Sequence, residues 1–248
     1  MRLPFFKNII PYDSIYVNSK FQKFIFGVKA VKILISASEL KKDFDQYTIV
    51  DLRMGAAHSA GHIAGAISLP VGDPPLKDGT GFIDKADWAA LLGNRGVSSD
   101  SKIVAYDDGT TGRAVARFWY IAKHYGHKDV FILNGGFGAA GGLPISSFAQ
   151  KATPAKYVAR TTPGYLFDID QILENYDKIT FLDTRTIEEF VGTELRGNPR
   201  GGHIRGAIFA AMDNFFADEA GQSFANPKKL AQTIHNMGVR KEDFIVAY

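Results

Sequence analysis

Short apolar runs, each closed by charge or glycine, alternate along the chain with stretches of helical spacing. Ile33–Ser36 (ILIS) predicts a short strand, Ser38 a cap for a helix over 39–44, and Tyr47–Arg53 (YTIVDLR) a buried strand ending in charge. Gly61–Pro70 (GHIAGAISLP) reads as a turn and a second strand. Asp84 caps a helix through Trp88 to Leu92 that Asn94 and Gly96 close, and Lys102–Tyr106 is the next strand. The loop DDGTTG (107–112) enters a helix over Arg113–Tyr125 that Gly126 ends, and the strand Val130–Leu133 (VFIL) precedes the glycine-rich GGFGAAGG. Strands alternating with helices predict an α/β fold, with helices on both faces of a mainly parallel sheet.

The pattern then restarts. Ile49–Arg53 (IVDLR) returns as Phe181–Arg185 (FLDTR), Gly61–Ile67 (GHIAGAI) as Gly202–Ile208 (GHIRGAI), and Asn94–Tyr106 as Asn236–Tyr248. The spacing changes once, where VGTELRGNPR (191–200) adds a loop. Ordered matches at near-constant spacing predict a duplicated domain. The division expected is an arm over 1–32, a first domain over 33–149, a polar, proline-containing linker over 150–162 and a second domain over 163–248. The second copy holds nothing equivalent to Asp107 onward, so it is expected to be truncated, to leave apolar surface and a strand edge uncovered, and to be the less stable half.

Composition narrows the partners. The 29 basic and 26 acidic residues leave a net charge of +3, too slight to imply nucleic acid or a membrane surface, and the expectation is a preference for small anions. No apolar run reaches the length of a membrane span, which points to a soluble, cytoplasmic monomer. The lysine- and aromatic-rich arm either packs on the domain that follows or directs import into an organelle. The chain has no cysteine, which removes disulfides, thiolate metal sites and any thiol nucleophile among these residues.

Ligands of open α/β sheets bind beyond the carboxyl ends of the strands, where Asp51, Arg53 and the Asp107 loop fall in one copy and Asp183 and Arg185 in the other. A strand-loop-helix turn bearing Gly109 and Gly112 converges backbone N–H groups on one point, which suits an anion and would depress the pKa of a thiol there. Asp183 and Arg185 either orient such a loop or form a buried structural pair, and their counterparts Asp51 and Arg53 favour the structural role. His62 and His203 lack companion ligands at short spacing and read as turn residues bonded to backbone rather than metal ligands. Gly136, Gly138 and Gly141 match G-x-G-x-x-G, but Leu143-Pro144 interrupts the helix a dinucleotide site requires, so no cofactor is expected.

IVDLR and FLDTR, the paired GHIAGA and GHIRGA, YDDGTTGRAVARFWY and YGHKDVFILNGGF together resemble the tandem-domain rhodanese-like sulfurtransferases, the thiosulfate and 3-mercaptopyruvate sulfurtransferases, over about Ile33 to Tyr248. The resemblance implies two rhodanese-like domains, the second incomplete. It also implies a persulfide-forming cysteine at the first loop position of the second domain, immediately after Tyr248. The partners implied are a small anionic sulfur donor and a thiophilic acceptor. The first domain of such proteins carries an acid at that position and is inert, a pattern that Asp107, Asp108, Gly109, Gly112 and Arg113 fit. A tryptophan commonly follows the GGF-like turn in the family, and Gly138 and Ala139 here imply looser packing. Relatives hold the donor with an arginine soon after the second-domain D-x-R. Glu188 and Glu189 stand there in this chain, leaving Arg185, Arg196 and Arg200 as the candidate donor-binding residues. The other reading is a degenerate rhodanese pair that binds anions or partners without sulfur transfer.

Overall fold

The computed structural model describes residues 16–17, 32–70, 83–109, 112–149, 151–217, 221–240 and 242–248. The arm expected over 1–32 lies outside them, apart from the backbone of Tyr16–Val17 (β1) and Lys32. In the first half, β2 (Leu34–Ile35), β3 (Tyr47–Asp51), β5 (Ile67–Ser68), β6 (Lys102–Tyr106) and β7 (Val130–Leu133) form a wholly parallel sheet in the order β2-β7-β6-β3-β5. β4 (His62–Ile63) pairs antiparallel with β8 (Ile145–Ser146) as a separate ribbon. In the second half, β9 (Ile179–Asp183), β10 (Ile208–Phe209) and β11 (Phe244–Ala247) are parallel, in the order β11-β9-β10.

The two sheets share one register. Ile49 faces Val104 and Val50 faces Ile67 in the first, as Phe181 faces Val246 and Leu182 faces Ile208 in the second. β11 corresponds to β6, whose other edge is taken by β7. The outer edge of β11, expected from sequence to be uncovered, instead takes β1 antiparallel over its last two residues, Tyr16 opposite Ala247 and Val17 opposite Val246.

Helices follow their caps. α1 is Ala37–Lys42, and Ser36, not Ser38, caps it: Ser36 and Glu39 form a reciprocal capping box, which places Ser38 inside the first turn. α2 (Gly55–Ala60) leads into the GHI turn, and α3 (Lys85–Gly93) starts after Asp84, whose side chain makes no capping bond. α4 (Arg113–His124) stops one residue short of Tyr125. The second half holds α5 (Ile169–Asn175), α6 (Ile187–Val191) and α7 (Pro227–Asn236), all with side-chain caps. Segment 136–139 is a 3-10 turn rather than the start of a phosphate-binding helix. A Cβ on Gly136, at φ 57°, would come 2.5 Å from the Gly109 nitrogen, so this glycine serves close backbone packing. Gly138 is exposed and faces open space, whereas Ala139 lies close against Gly135.

Apolar layers cover both faces of the first sheet, one built around Trp88, Leu92, Ile103, Phe118 and Ile121, the other around Leu40, Ile49, Ile63, Val104 and Leu133. The segment expected to act as a linker is strapped to the first half. Ala155, Val158, Arg160 and Thr162 donate backbone N–H bonds to Gly93, Ser99, Tyr125 and His124 respectively, and Tyr157 is buried against His127. The halves also meet directly. Asn134 donates to the Phe224 carbonyl (3.3 Å) and accepts from its N–H (2.8 Å), while Phe216 and Phe224 stack at 5.3 Å over Gly112.

Candidate functional site

Each half carries a polar cluster at the carboxyl end of its sheet. In the first, Asp51 is fully buried at the last position of β3. It accepts from Arg53 Nη2 (2.7 Å) and from the Tyr106 hydroxyl (2.7 Å), and His58 Nδ1 lies 3.0 Å away. Burial alone would raise its pKa, but the bonds from Arg53, Tyr106 and His58 outweigh that and hold the carboxyl below its usual range. Tyr106 in turn accepts from the Ile63 N–H (3.2 Å), and burial beside Asp51 pushes its hydroxyl above the ordinary tyrosine range. Arg53 also donates to the Gly61 carbonyl (2.7 Å), and Phe137 covers its guanidinium at 3.7 Å, leaving 8% of the side chain exposed.

The second half rebuilds this cluster. Arg185 Nη2 donates to the buried Asp183 (2.6 Å) and to the Gly202 carbonyl (2.8 Å). Tyr248 accepts from the Ile204 N–H (2.9 Å), and its ring lies 5.4 Å from the Arg185 guanidinium. His62 and His203 are turn residues bonded to backbone, each with Nδ1 at 2.8 Å from a carbonyl, of His58 and Phe190 respectively. Their rings stack at 3.7 Å on those same two residues. The insertion over 191–200 thus leaves the turn intact and extends the chain between Phe190 and His203.

Besides Phe190 standing where His58 bonds Asp51, two differences separate the halves. Arg185 keeps 23% of its side chain exposed, against 8% for Arg53. Position 52 is a buried leucine, whereas its counterpart Thr184 bonds the Tyr248 carbonyl through both its N–H (3.0 Å) and its Oγ1 (2.8 Å). Arg196, in a left-handed backbone conformation (φ 48°), reaches Glu189 at 3.7 Å, and Glu189 acts electrostatically on Arg185. Glu189 itself belongs to the capping box of α6 with Thr186. Arg200 is exposed on the same inserted loop.

The Asp107 loop is closed on itself. Asp107 is buried and accepts from the Gly109 N–H (2.9 Å) and the Val115 N–H (3.3 Å), so its carboxylate occupies amides that could hold an external anion. Burial pushes its pKa up, partly offset by those two bonds. Gly112 caps α4 at φ 57°, and a Cβ there would meet Phe224 at 2.8 Å. Asp108 and Arg113 are exposed at the loop's rim. Among the described residues, no group of three or more His, Cys, Asp or Glu side chains is placed to hold a metal ion. No helix among them is long and apolar enough to cross a membrane.

The hydroxyls of Tyr106 and Tyr248, the Phe190 stack and the Thr184 contact escape a reading of sequence alone. The one available signal was that each repeated IVAY run ends in tyrosine, where a strand pattern needs only an apolar residue.

Residues 36–140 match the Rhodanese-like domain family. The chain is 32% identical over 143 residues to thiosulfate sulfurtransferase of Rattus norvegicus, covering 54% of this chain and 48% of that protein. It is 34% identical over 154 residues to 3-mercaptopyruvate sulfurtransferase of Mus musculus, covering 59% and 50%. The chain thus spans about half the length of these two relatives. A putative thiosulfate sulfurtransferase of Haloferax volcanii is 28% identical over 242 residues, covering 88% and 82%. The crystal structure of SseA from Escherichia coli, described with the "Rhodanese" fold of 3-mercaptopyruvate sulfotransferases, superposes with a TM-score of 0.73 at 20% identity, over 87% of each chain. The parallel sheets and these similarities converge: residues 36–140 belong to the Rhodanese-like domain family, and the chain is similar to thiosulfate and 3-mercaptopyruvate sulfurtransferases.

Proposed function

We propose that the chain is the scaffold of a tandem sulfurtransferase whose first half is inert and whose second half presents a persulfide-forming cysteine at the position after Tyr248. One observation carries this reading. Tyr248 occupies in the second half the place of Tyr106 in the first, with the same strand register and the same carbonyl bond, from Thr184 N–H as from Leu52 N–H. The position after Tyr248 therefore corresponds to Asp107.

In this mechanism the cysteine thiolate attacks the outer sulfur of the donor. With thiosulfate the S–S bond breaks and sulfite leaves with the electron pair. With 3-mercaptopyruvate the C–S bond breaks and the enolate of pyruvate leaves and takes a proton. A thiophilic acceptor then attacks the outer persulfide sulfur and returns the thiolate. Arg185, the more open of the two paired arginines, supplies positive charge at the strand end, and Arg196 and Arg200 add charge on the inserted loop. The division into domains at 33–149 and 163–248 belongs to the same proposal and is supported by the two separate sheets.

A purely anion-binding role has less support, because in the first half Asp107 already fills its own loop amides. Reading the coding sequence past Tyr248 tests the proposal. A cysteine followed by a glycine-containing loop supports it, and any other residue at that position refutes it.

A further inference from the structure

We propose that Asn134 is a self-modification site, whose deamidation is held back by docking of the two halves and whose product undocks them. The inference stands apart from the sulfur-transfer reading and needs no residue after Tyr248. Among the asparagines of the chain only Asn134 precedes a glycine. It directly follows β7, and its side chain clamps the halves together: Nδ2 donates to the Phe224 carbonyl at 3.3 Å, and Oδ1 accepts from the Phe224 N–H at 2.8 Å.

The fold imposes both residues of the pair. Gly135 sits at φ 89°, and a Cβ there would come 2.8 Å from that of Ala139. Position 134 must offer one donor and one acceptor to a single backbone residue, which a side-chain amide does and a carboxylate does not. An unhindered backbone nitrogen is thereby placed next to a reactive amide. In the reaction the Gly135 nitrogen attacks Asn134 Cγ. The new C–N bond closes a succinimide, the Cγ–Nδ2 bond breaks, and ammonia leaves with the proton that Gly135 gives up. Water then opens the ring at either carbonyl to leave aspartate or isoaspartate, so that amide and water become acid and ammonia.

Docking opposes this step. The Asn134 N–H is tied to the Ile35 carbonyl at 3.0 Å, and the Gly135 carbonyl accepts from the Ala139 N–H at 3.2 Å. Ring closure requires the side chain to turn back onto its own peptide, which breaks both bonds to Phe224. The reaction therefore runs through local opening of the interface. Its product has no N–H for the Phe224 carbonyl and sets a negative charge beside it, so the Phe216–Phe224 stack over Gly112 loses its polar clamp.

The test follows conversion of Asn134 in the full-length gene product by peptide mapping and mass spectrometry, at mildly alkaline pH. Conversion in buffer is expected to be at least about tenfold slower than in concentrated urea, because only the open fraction reacts. F216A, which removes one ring of the stack and leaves Asn134 and Gly135 in place, should convert at least about threefold faster than wild type in buffer. Sub-denaturing urea should accelerate the wild type likewise while Trp88 and Trp119 keep their native fluorescence, which gives the same readout without a substitution. Converted wild type, separated by ion exchange, and N134D should both lose the second half to trypsin at least about threefold faster than unconverted protein. Equal rates in buffer and concentrated urea would overturn the inference. So would conversion that neither F216A nor sub-denaturing urea accelerates, because the first half's own backbone would then be the restraint. A converted fraction as resistant to trypsin as the unconverted protein would overturn the undocking.

Discussion

Replacing His127 tests whether the segment over 151–162 is part of the first half rather than a tether. His127 is 4% exposed, its Nε2 lies 2.7 Å from the Ser101 carbonyl, and its Nδ1 lies 3.0 Å from the Tyr157 hydroxyl. Nε2 must carry the proton to serve the carbonyl, which leaves Nδ1 bare to accept from Tyr157. Burial pushes this histidine below its ordinary pKa of 6.5, against the opposing pull of the Ser101 carbonyl. The sign follows directly. As pH falls through about 6.5 the unfolded chain takes the proton and the native state does not, so the native state loses stability from there down to the native pKa. The slope from one such site is at most about 1.4 kcal/mol per pH unit, and above about pH 7.5 the site contributes none. H127Q removes the titration and costs about 1–2 kcal/mol at neutral pH for imperfectly matched hydrogen bonds. Both tryptophans, Trp88 and Trp119, lie in the first half, so urea unfolding followed by their fluorescence reports on it directly. The wild-type minus H127Q difference should shrink as pH is lowered from about 7.5 to about 5. His124, which burial also pushes down, cancels in that difference. Parallel curves for the two proteins across this range would refute the reasoning.

Three further outcomes are expected. N134A deletes both bonds to the Phe224 backbone and should cost about 1–2 kcal/mol, with faster proteolysis of the second half, and an unchanged melting temperature and cleavage pattern would contradict the interface. Y106F strands the buried Ile63 N–H and removes one donor from Asp51, for a loss of about 1–3 kcal/mol by chemical denaturation, and a change below experimental error would contradict the cluster's role. The chain over 1–248 contains no thiol and should give no thiocyanate from thiosulfate and cyanide, so measurable turnover by the purified chain would contradict the mechanism.

Strands buried on both faces announce themselves as unbroken apolar runs, which is why Val130–Leu133 and Lys102–Tyr106 were legible residue for residue. Ser36 and Ser38 both precede Glu39, and only the three-residue spacing of the capping box decides between them. The segment over 151–162 reads as polar connector because its backbone makes the attachments and sequence carries no trace of those, leaving Tyr157 and the smaller Ala159 as its apolar anchors. The candidate site divides in the same way. Asp51, Arg53 and their counterparts stood out by charge at strand ends, while the Tyr106 hydroxyl reaches Asp51 only because β6 and β3 lie side by side. Phe190 and His203 are separated in sequence by the insertion, so their likeness to the closely spaced His58 and His62 emerges only from the stacked rings.

The Asp107 loop is the closed counterpart of the site proposed after Tyr248, the Gly109 and Val115 amides bonded to Asp107 and Gly112 covered by Phe224. The most direct test is mass spectrometry of the full-length product after incubation with thiosulfate, with the peptide that follows Tyr248 sequenced. The account predicts a cysteine immediately after Tyr248 that carries the added mass of one sulfur atom and loses it on treatment with cyanide. A different residue at that position, or a cysteine there that never acquires sulfur, would contradict it.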